Sequence, residues 1–505
     1  MRTDEKNRVM TCRQSEYLFV HKLLLFLLLI FCSNAYGAEY PVLGRDKLPD
    51  VVMTDDHSDV LAYWMKKGIQ DAILINIDAH HDMSPAAPGK MERLKVIHTS
   101  KDIASFQKAN SLNDEGLYHS GNFIYVAAKL GMVKEVYWVT PFRHFSRAGN
   151  EKQLKKLLTG IGFSDSDIQN FRMIEGCIRG SVSGIPLCIC TIESMPSITH
   201  PVIVSIDTDF LPSLSAEYGI GKLKAALMLL ETLKRKSYRV IMASVSYSFN
   251  GGYTIPINGW LGDVIMNALK SQGVLPGKTI PAMWSAYQKA DQYSGGYLPE
   301  KTIAFLTPLL RQYASDPWLL LYAADAYYQR NDTGKAFEYA EKVCINNKRN
   351  CFGLPYLGRY LLREGRIADA DKFFEKGYRL YPGMIYYQWE MAFAYKKAGR
   401  FKDAMRYYER LRPLAGVFPA DLFIGEIHLL LREREIADMH CRMAIEALSQ
   451  TRDEGRDFSD VGTEIAGAAM IYEREGLGEC SKMLRNEQSL RHLFMNEIST
   501  YKPLN

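Results

Sequence analysis

Two short, almost wholly apolar runs, Ala72–Ile77 and 202–206, interrupt the otherwise mixed first half of the chain. Runs of this length without strict alternation are expected of strands buried on both faces of a parallel sheet. Between and after them the pattern changes period repeatedly. Residues 123–130 read as a helix, 135–139 as a strand ended by Pro141, 151–158 as a helix, 221–236 as an amphipathic helix and 239–248 as a further strand. Alternation of strand and helix over about 200 residues predicts a three-layer α/β domain, a parallel sheet between helices.

From Trp318 onward the pattern becomes helix after helix at a fixed spacing. Ala336, Ala370 and Ala404 recur every 34 residues, with Ala437 one short. Ala324, Gly358, Ala392 and Gly425 keep nearly the same step, as do Gly365 and Gly399; Phe374 and Tyr408 follow in phase and Pro382 closes one unit. This resembles the tetratricopeptide repeat, in which small side chains let paired helices approach closely. The likeness predicts an all-α solenoid over 317–490, with a degenerate fifth unit around Ala469, Tyr472 and Gly476 as its cap. Pro276, Pro281, Gly295, Gly296 and Pro299 mark the stretch 273–301 as a connector. The division is then a first domain over 38–275, a linker and first helix over 276–316, and the repeats. The two domains are expected to fold independently, since each repeat contacts mainly its neighbours and the first domain has its own sheet. A protein partner on the concave face of the array is the expected use of the repeats.

At 505 residues the chain is too long for one core of ordinary size. Its 62 basic and 57 acidic residues leave a net charge of only +5, so no nucleic-acid partner is expected. The apolar stretch 23–32 follows His21-Lys22 and precedes the small residues Ser33 to Ala38. It reads as a signal peptide over 1–37, which would carry the chain to the periplasm or the exterior; left uncleaved, it would be a membrane anchor. In an oxidising compartment, Cys177 would pair with Cys188 or with Cys190 across a hairpin at Gly180 to Gly184, and Cys344 with Cys351.

Acidic and histidine residues gather at three points: Asp56-His57-Ser58, Asp78-Ala79-His80-His81-Asp82 and Ser205-Ile206-Asp207-Thr208-Asp209. The last two follow the apolar runs directly, at the carboxyl ends of strands, where open α/β sheets bind their ligands. Alternating positions leave an extended backbone on one side, so Asp78, His80 and Asp82, and again Asp207 and Asp209, aim together. Four carboxylates at one point need cations to cancel their repulsion. The predicted ligands of a pair of divalent metal ions are therefore His57, Asp78, His80, Asp82, Asp207 and Asp209. Oxygen and imidazole donors without thiolate favour manganese over structural zinc, with zinc and iron left open.

At these residues the chain resembles the arginase, agmatinase and deacetylase superfamily. The ureohydrolase branch of that superfamily carries Gly-Gly-Asp-His-Ser, Asp-Ala-His-x-Asp and Ser-x-Asp-x-Asp motifs in that order. Here the first survives as Asp56-His57-Ser58, with Thr54 and Asp55 at the glycine positions; the second is complete from Asp78 to Asp82, and the third spans Ser205 to Asp209. The resemblance implies an arginase-like fold in which two manganese ions share His57, Asp78, Asp82 and Asp207, His80 and Asp209 complete the shells, and a hydroxide bridges the pair. The tandem His80-His81 is similar to the deacetylase branch, which binds one zinc and lacks the last aspartate; Asp82 favours the binuclear branch. Ureohydrolases continue the third motif into Asp-Pro and add a glutamate on a later strand that grips the guanidinium. Here Phe210-Leu211-Pro212-Ser213 follows, and 239–248 holds no carboxylate. Arginine and agmatine are accordingly not expected as substrates.

Hydrolysis also needs a proton donor and groups that hold the substrate. His119, in the polar turn Tyr118 to Asn122, is the expected catalytic donor beside Asp82, and His81, Ser120 and Asn122 are the expected substrate contacts. Asn250-Gly251-Gly252-Tyr253 is a candidate second wall. The expected activity is metal-dependent hydrolysis of a C–N bond in an amide, amidine or modified amine, a small-molecule substrate. The rival reading is a non-catalytic, metal-stabilised scaffold that works through its repeats.

Overall fold

The structure, a computed structural model, describes residues 50–486 apart from 87, 111–116, 148–149, 250–252, 271–279, 347–350, 381–384, 416 and 451–461. The leader and the Asn250-Gly251-Gly252 wall lie outside the described residues. Within them, no helix is long and apolar enough to cross a membrane.

Eight strands, β1 (Asp50–Thr54), β2 (Ala72–Ile77), β3 (Val133–Val139), β4 (Arg172–Ile174), β5 (Cys177–Val182), β6 (Ile185–Cys190), β7 (Val202–Asp207) and β8 (Val240–Ser246), form one sheet in the order β1-β8-β7-β2-β3-β6-β5-β4. Pairings from β1 across to β6 are parallel. The expectation of a parallel sheet needs correcting at one edge, where β6, β5 and β4 run antiparallel. The cause is local: Ser183 and Gly184 both take positive φ, 51° and 77°, which closes a tight hairpin. Every residue of β2 and β7 is buried. Ile73, Ile75 and Ile77 join the core formed with the helices Phe210–Tyr218, Lys222–Lys236 and Trp260–Lys270, whereas Ala72 and Leu74 join that of Val60–Lys66 and Phe123–Lys129. Apolar residues on both sides are what hold helices on both faces, so the three layers follow from the run itself.

The β5–β6 register sets Ile178 opposite Ile189, so Cys177 falls opposite Cys190, and these two are disulfide-bonded while Cys188 is a buried thiol. Cys344 pairs with Cys351, and Cys441 with Cys480, a bond not anticipated from the sequence.

The second region is a helical-repeat array of the tetratricopeptide type. Its antiparallel pairs are Pro317–Gln329 with Thr333–Asn346, Gly353–Arg363 with Ile367–Leu380, Ile385–Lys397 with Phe401–Ala415, Val417–Leu430 with Arg434–Gln450, and Gly462–Arg474 with Gly478–Asn486. Ala336, Ala370, Ala404 and Ala437 have no exposed surface. The small residues are there for close approach: a Cβ on Gly358 would lie 2.5 Å from the Phe374 ring. Gly365 and Gly399, at φ 75° and 71°, end the first helix of their pairs in the left-handed conformation.

The expected connector contains two more helices, Ala282–Gly295 and Pro299–Gln312, with Trp284, Tyr287, Ala290 and Leu306 buried. One continuous apolar core runs from β7 and β8 through Trp260, Trp284 and Trp318 into the repeats. The two regions share this core, which stands against the expectation that each folds independently. Proline and glycine bound these helices without making the segment between them a loop.

Candidate metal centre

Three strand ends build the site. After β1, the Asp56 carboxylate accepts the Ser58 N–H at 2.8 Å and caps the single turn His57–Asp59, which turns His57 inward. After β2, Asp78 Oδ1 accepts the His80 N–H at 2.8 Å, and the Trp138 indole N–H donates to the Asp78 carbonyl at 2.9 Å. The chain then bends through Asp82, whose φ of 53° is the left-handed region, where aspartate is among the tolerated residues. After β7, the Asp209 N–H donates to Asp207 Oδ1 at 3.1 Å.

These turns bring all six predicted ligands together. His57 Nδ1 lies 2.9 Å from Asp78 Oδ2, 3.2 Å from Asp82 Oδ2 and 3.4 Å from Asp207 Oδ2. His80 Nδ1 lies 2.8 Å from Asp209 Oδ2 and 3.6 Å from Asp78 Oδ1. Two compact ligand groups result, His57-Asp78-Asp82 and Asp78-His80-Asp209, each with donor atoms within 4.8 Å of one another and sharing Asp78. Buried His57 Nδ1 and Asp209 Oδ2 approach these neighbours without the alignment of a hydrogen bond. Atoms that crowd this closely yet bond to no partner are oriented toward a common point. That geometry, with its oxygen and nitrogen donors, fits a pair of divalent cations.

The charges are mutually frustrated without such cations. Burial raises Asp82, Asp207 and Asp209, and neighbouring carboxylates raise them further, Asp209 to about 6. Burial also pushes Asp78 up, but contact with His57 and His80 outweighs it and holds Asp78 far below the ordinary range. Burial pulls both histidines down, yet Asp78 and Asp82 keep His57 well above its usual value, and Asp209 and Asp78 push His80 up to about 12. Asp78, Asp82, Asp207 and Asp209 are buried, whereas half the His80 side chain is exposed and opens the site to solvent.

Polar residues that sequence reasoning passed over hold the ligands. Ser205 Oγ is 2.7 Å from His57 Nε2 and 2.8 Å from Ser244 Oγ. Ser248 donates to Asp207 Oδ2, and Ser246 donates to the Asp55 carbonyl at 2.8 Å. The signal was present as serines alternating along 244–248, at positions scanned only for a carboxylate. Tyr253 meets the His80 ring edge-on at 5.0 Å.

The remaining candidates divide. His119 sits in the turn entering the helix Phe123–Lys129; its Nδ1 accepts the Gly121 N–H at 3.2 Å, which leaves Nε2 to carry the proton of the neutral ring. That turn borders the Asp82 loop through Ser84 N–H to Gly121 O at 3.0 Å and Ile124 N–H to Asp82 O at 3.1 Å. Asn122 Oδ1 accepts the His119 N–H at 2.9 Å, and Asn122 and Ser120 are buried. His81 is engaged elsewhere: Nδ1 accepts the Met83 N–H, Nε2 lies 3.0 Å from the Ile161 carbonyl, and the ring packs on Trp138 and Phe163. Trp138, Phe142, Phe145, Leu157 and Ile161 line a cleft of about 640 Å³ that reaches Ala79, between the ligands Asp78 and His80.

No protein-family model matches the chain, and no curated protein matches it. Among solved structures, the chain is similar to a crystal structure of MamA at 16% identity, over 32% of this chain and 95% of that one, with a TM-score of 0.24. It is similar to MamA 41-end from Desulfovibrio magneticus RS-1 at 15%, over 33% and 94%, TM-score 0.24. The human IFIT1 dimer with PPP-AAAA is similar at 13%, over 59% and 68%, TM-score 0.25. Both proteins are helical-repeat proteins of the tetratricopeptide type. At these TM-scores the likeness adds nothing to the helix pairing, which by itself defines the array.

Proposed function

We propose that the chain is an exported binuclear metal-dependent hydrolase of arginase-like fold, acting on a C–N bond in an amide, amidine or modified amine, with a repeat array that binds a protein partner. The observation that carries this reading is the pair of ligand groups joined through Asp78. Their oxygen and imidazole donors favour manganese, with zinc and iron the alternatives. A divalent pair held there lowers the pKa of water and polarises the scissile group.

The chain's own residues do the rest. Asp78 bridges the two groups, Ser205 fixes the His57 ring, and Ser248 orients Asp207. Asp82 is the buried carboxylate assigned to hold the attacking water in register and take its proton, since it lies in the same ligand group as His57 and Asp78. His119 is the assigned donor to the leaving nitrogen, with its proton on Nε2. The cleft beside Ala79 offers an apolar wall for the part of the substrate that does not react. Three disulfides among the described residues support an oxidising compartment, in keeping with a cleaved leader.

Elemental analysis of protein purified without chelator is the test. The expected result is two divalent ions per chain, lost together in Asp78→Asn because that carboxylate serves both groups. Less than one ion, with none gained on adding manganese, zinc or iron, overturns the reading.

A further inference from the structure

We propose that the repeat array is a positioning part of the metal centre, and that Trp318 and Phe352 act on it through the strap that follows β8. This rests on the site being metal-binding. The strap begins at Tyr247 and turns sharply at Ser248, so that the Ser248 hydroxyl and the flanking Tyr247 and Phe249 rings reach different neighbours. On the inner side, Ser248 donates to Asp207 Oδ2; its φ is 53°, and its N–H donates to the Asp55 carbonyl at 2.7 Å. The strap thus touches the candidate ligand Asp207 directly.

On the outer side the strap belongs to the array. Phe249 stacks on Tyr247 at 5.0 Å and packs against Phe352 at 5.4 Å and Trp318 at 6.5 Å, both from repeat helices or their caps. The Trp318 indole N–H donates to Asp263 Oδ2 at 2.6 Å, and the Tyr247 hydroxyl donates to the other oxygen of the same carboxyl. Trp318 is 2% exposed and seated so closely on Gly259 that a Cβ there would come within 2.2 Å of its ring. Ser248 therefore stands between two side chains clamped by the array, and any shift of Trp318 or Phe352 is passed to its hydroxyl. Asp207, the candidate ligand held by Ser248, is 4% exposed. The positioning residues act through packing and one partly buried carboxyl.

The test uses the full chain and manganese as the probe. Trp318→Phe keeps an aromatic ring in the seat and removes the bond to Asp263; Ser248→Ala removes the link to Asp207. Manganese affinity is measured by calorimetry for the wild type, each variant and the double, with melting temperatures in chelator as the measure of fold. Trp318→Phe is expected to weaken manganese by about 10-fold, the lower end for an outer-shell change. The double variant should be no weaker than Ser248→Ala alone, because both act along one route. Phe352→Leu gives the same comparison if Trp318→Phe melts early. An affinity for Trp318→Phe and Phe352→Leu within about twofold of the wild type, while Ser248→Ala loses about 10-fold, overturns the positioning role and leaves the metal reading standing. Additive losses in the double overturn the route through Ser248. Wild-type protein that takes up no metal overturns this inference together with the reading it rests on.

Discussion

Ser205 Oγ, on β7, stands 2.7 Å from His57 Nε2 in the turn after β1, with β8 between the two strands, and passes its own bond to Ser244 at 2.8 Å. When the His57 ring is neutral with its proton on Nε2, it donates to Ser205, and the Nδ1 lone pair points at Asp78, Asp82 and Asp207. In that tautomer Nδ1 is the nitrogen left to serve as a ligand, and Ser205 holds the ring in place, the role that outer hydrogen bonds play in metal sites generally.

Ser205→Ala should therefore weaken metal binding by about 10- to 100-fold. Buried Nε2 would also lose its partner, at a cost of about 1–3 kcal/mol to the metal-free fold. Calorimetric titration and denaturant unfolding in chelator read the two effects separately. Unchanged affinity would show that His57 does not bind through Nδ1.

Metal affinity should rise with pH. Burial and neighbouring carboxylates raise Asp82, Asp207 and Asp209, the last to about 6, so the metal-free folded chain holds protons that the unfolded chain has already released above the ordinary carboxylate range. By linkage, this contribution to metal-free stability is present at low pH and is lost as pH rises toward 6. Incoming metal must displace the same protons, so its affinity climbs through that window. Titrations at pH 5 and pH 7.5, in buffers of differing ionisation enthalpy, should show tighter binding at the higher pH and proton release at both, from His57 and His80 throughout and additionally from the carboxylates at the lower. Equal affinities at the two values would contradict the assignment of these carboxylates as ligands.

Arginine and agmatine should not be turned over. Where a guanidinium clamp would need a carboxylate, β8 presents Ser244 and Ser246, and the second residue past its end is Ser248, all committed to hydrogen bonds within the protein. A screen of amides, acetylated amines and guanidines with the manganese-loaded chain should find activity in the first two groups. Urea release from arginine at about 1 per second or faster would show that the clamp comes from another element.

A fragment ending near Leu298 should be less stable than the full chain and should aggregate. It would uncover Phe249 and Tyr247, whose neighbours Trp318 and Phe352 lie beyond the cut. Uncovering large aromatic side chains costs about 1.5–3 kcal/mol for each one fully exposed. Analytical ultracentrifugation and thermal melting of the fragment provide the check; a monomer melting with the full chain would mean the shared core contributes little.

Much of the architecture was readable from residue order alone. The runs at Ala72–Ile77 and 202–206 announced buried strands, the ligands followed directly at their ends, and the 34-residue step of Ala336, Ala370 and Ala404 announced the helix pairs. Other features had no such signal. His81 sits next to a candidate ligand in sequence, yet the bends from Asp78 through Asp82 turn it to Ile161 and Phe163.

The sequence by itself determined what depends on period and residue type: two-sided burial of β2 and β7, carboxylates and histidines at three strand ends, and small residues spaced for helix pairing. Only the tertiary structure decided what depends on register and packing between distant segments. Hairpin register chose Cys190 over Cys188 as the partner of Cys177. Alignment of β7 with β8 set Ser205 beside Ser244 and made serines the supports of the centre. Packing of Trp318 on Gly259 and Phe249 joined the repeats to the sheet in one core. A local pattern can state which face of an element is apolar, but the partner that covers that face is selected by shape and contact across the whole chain.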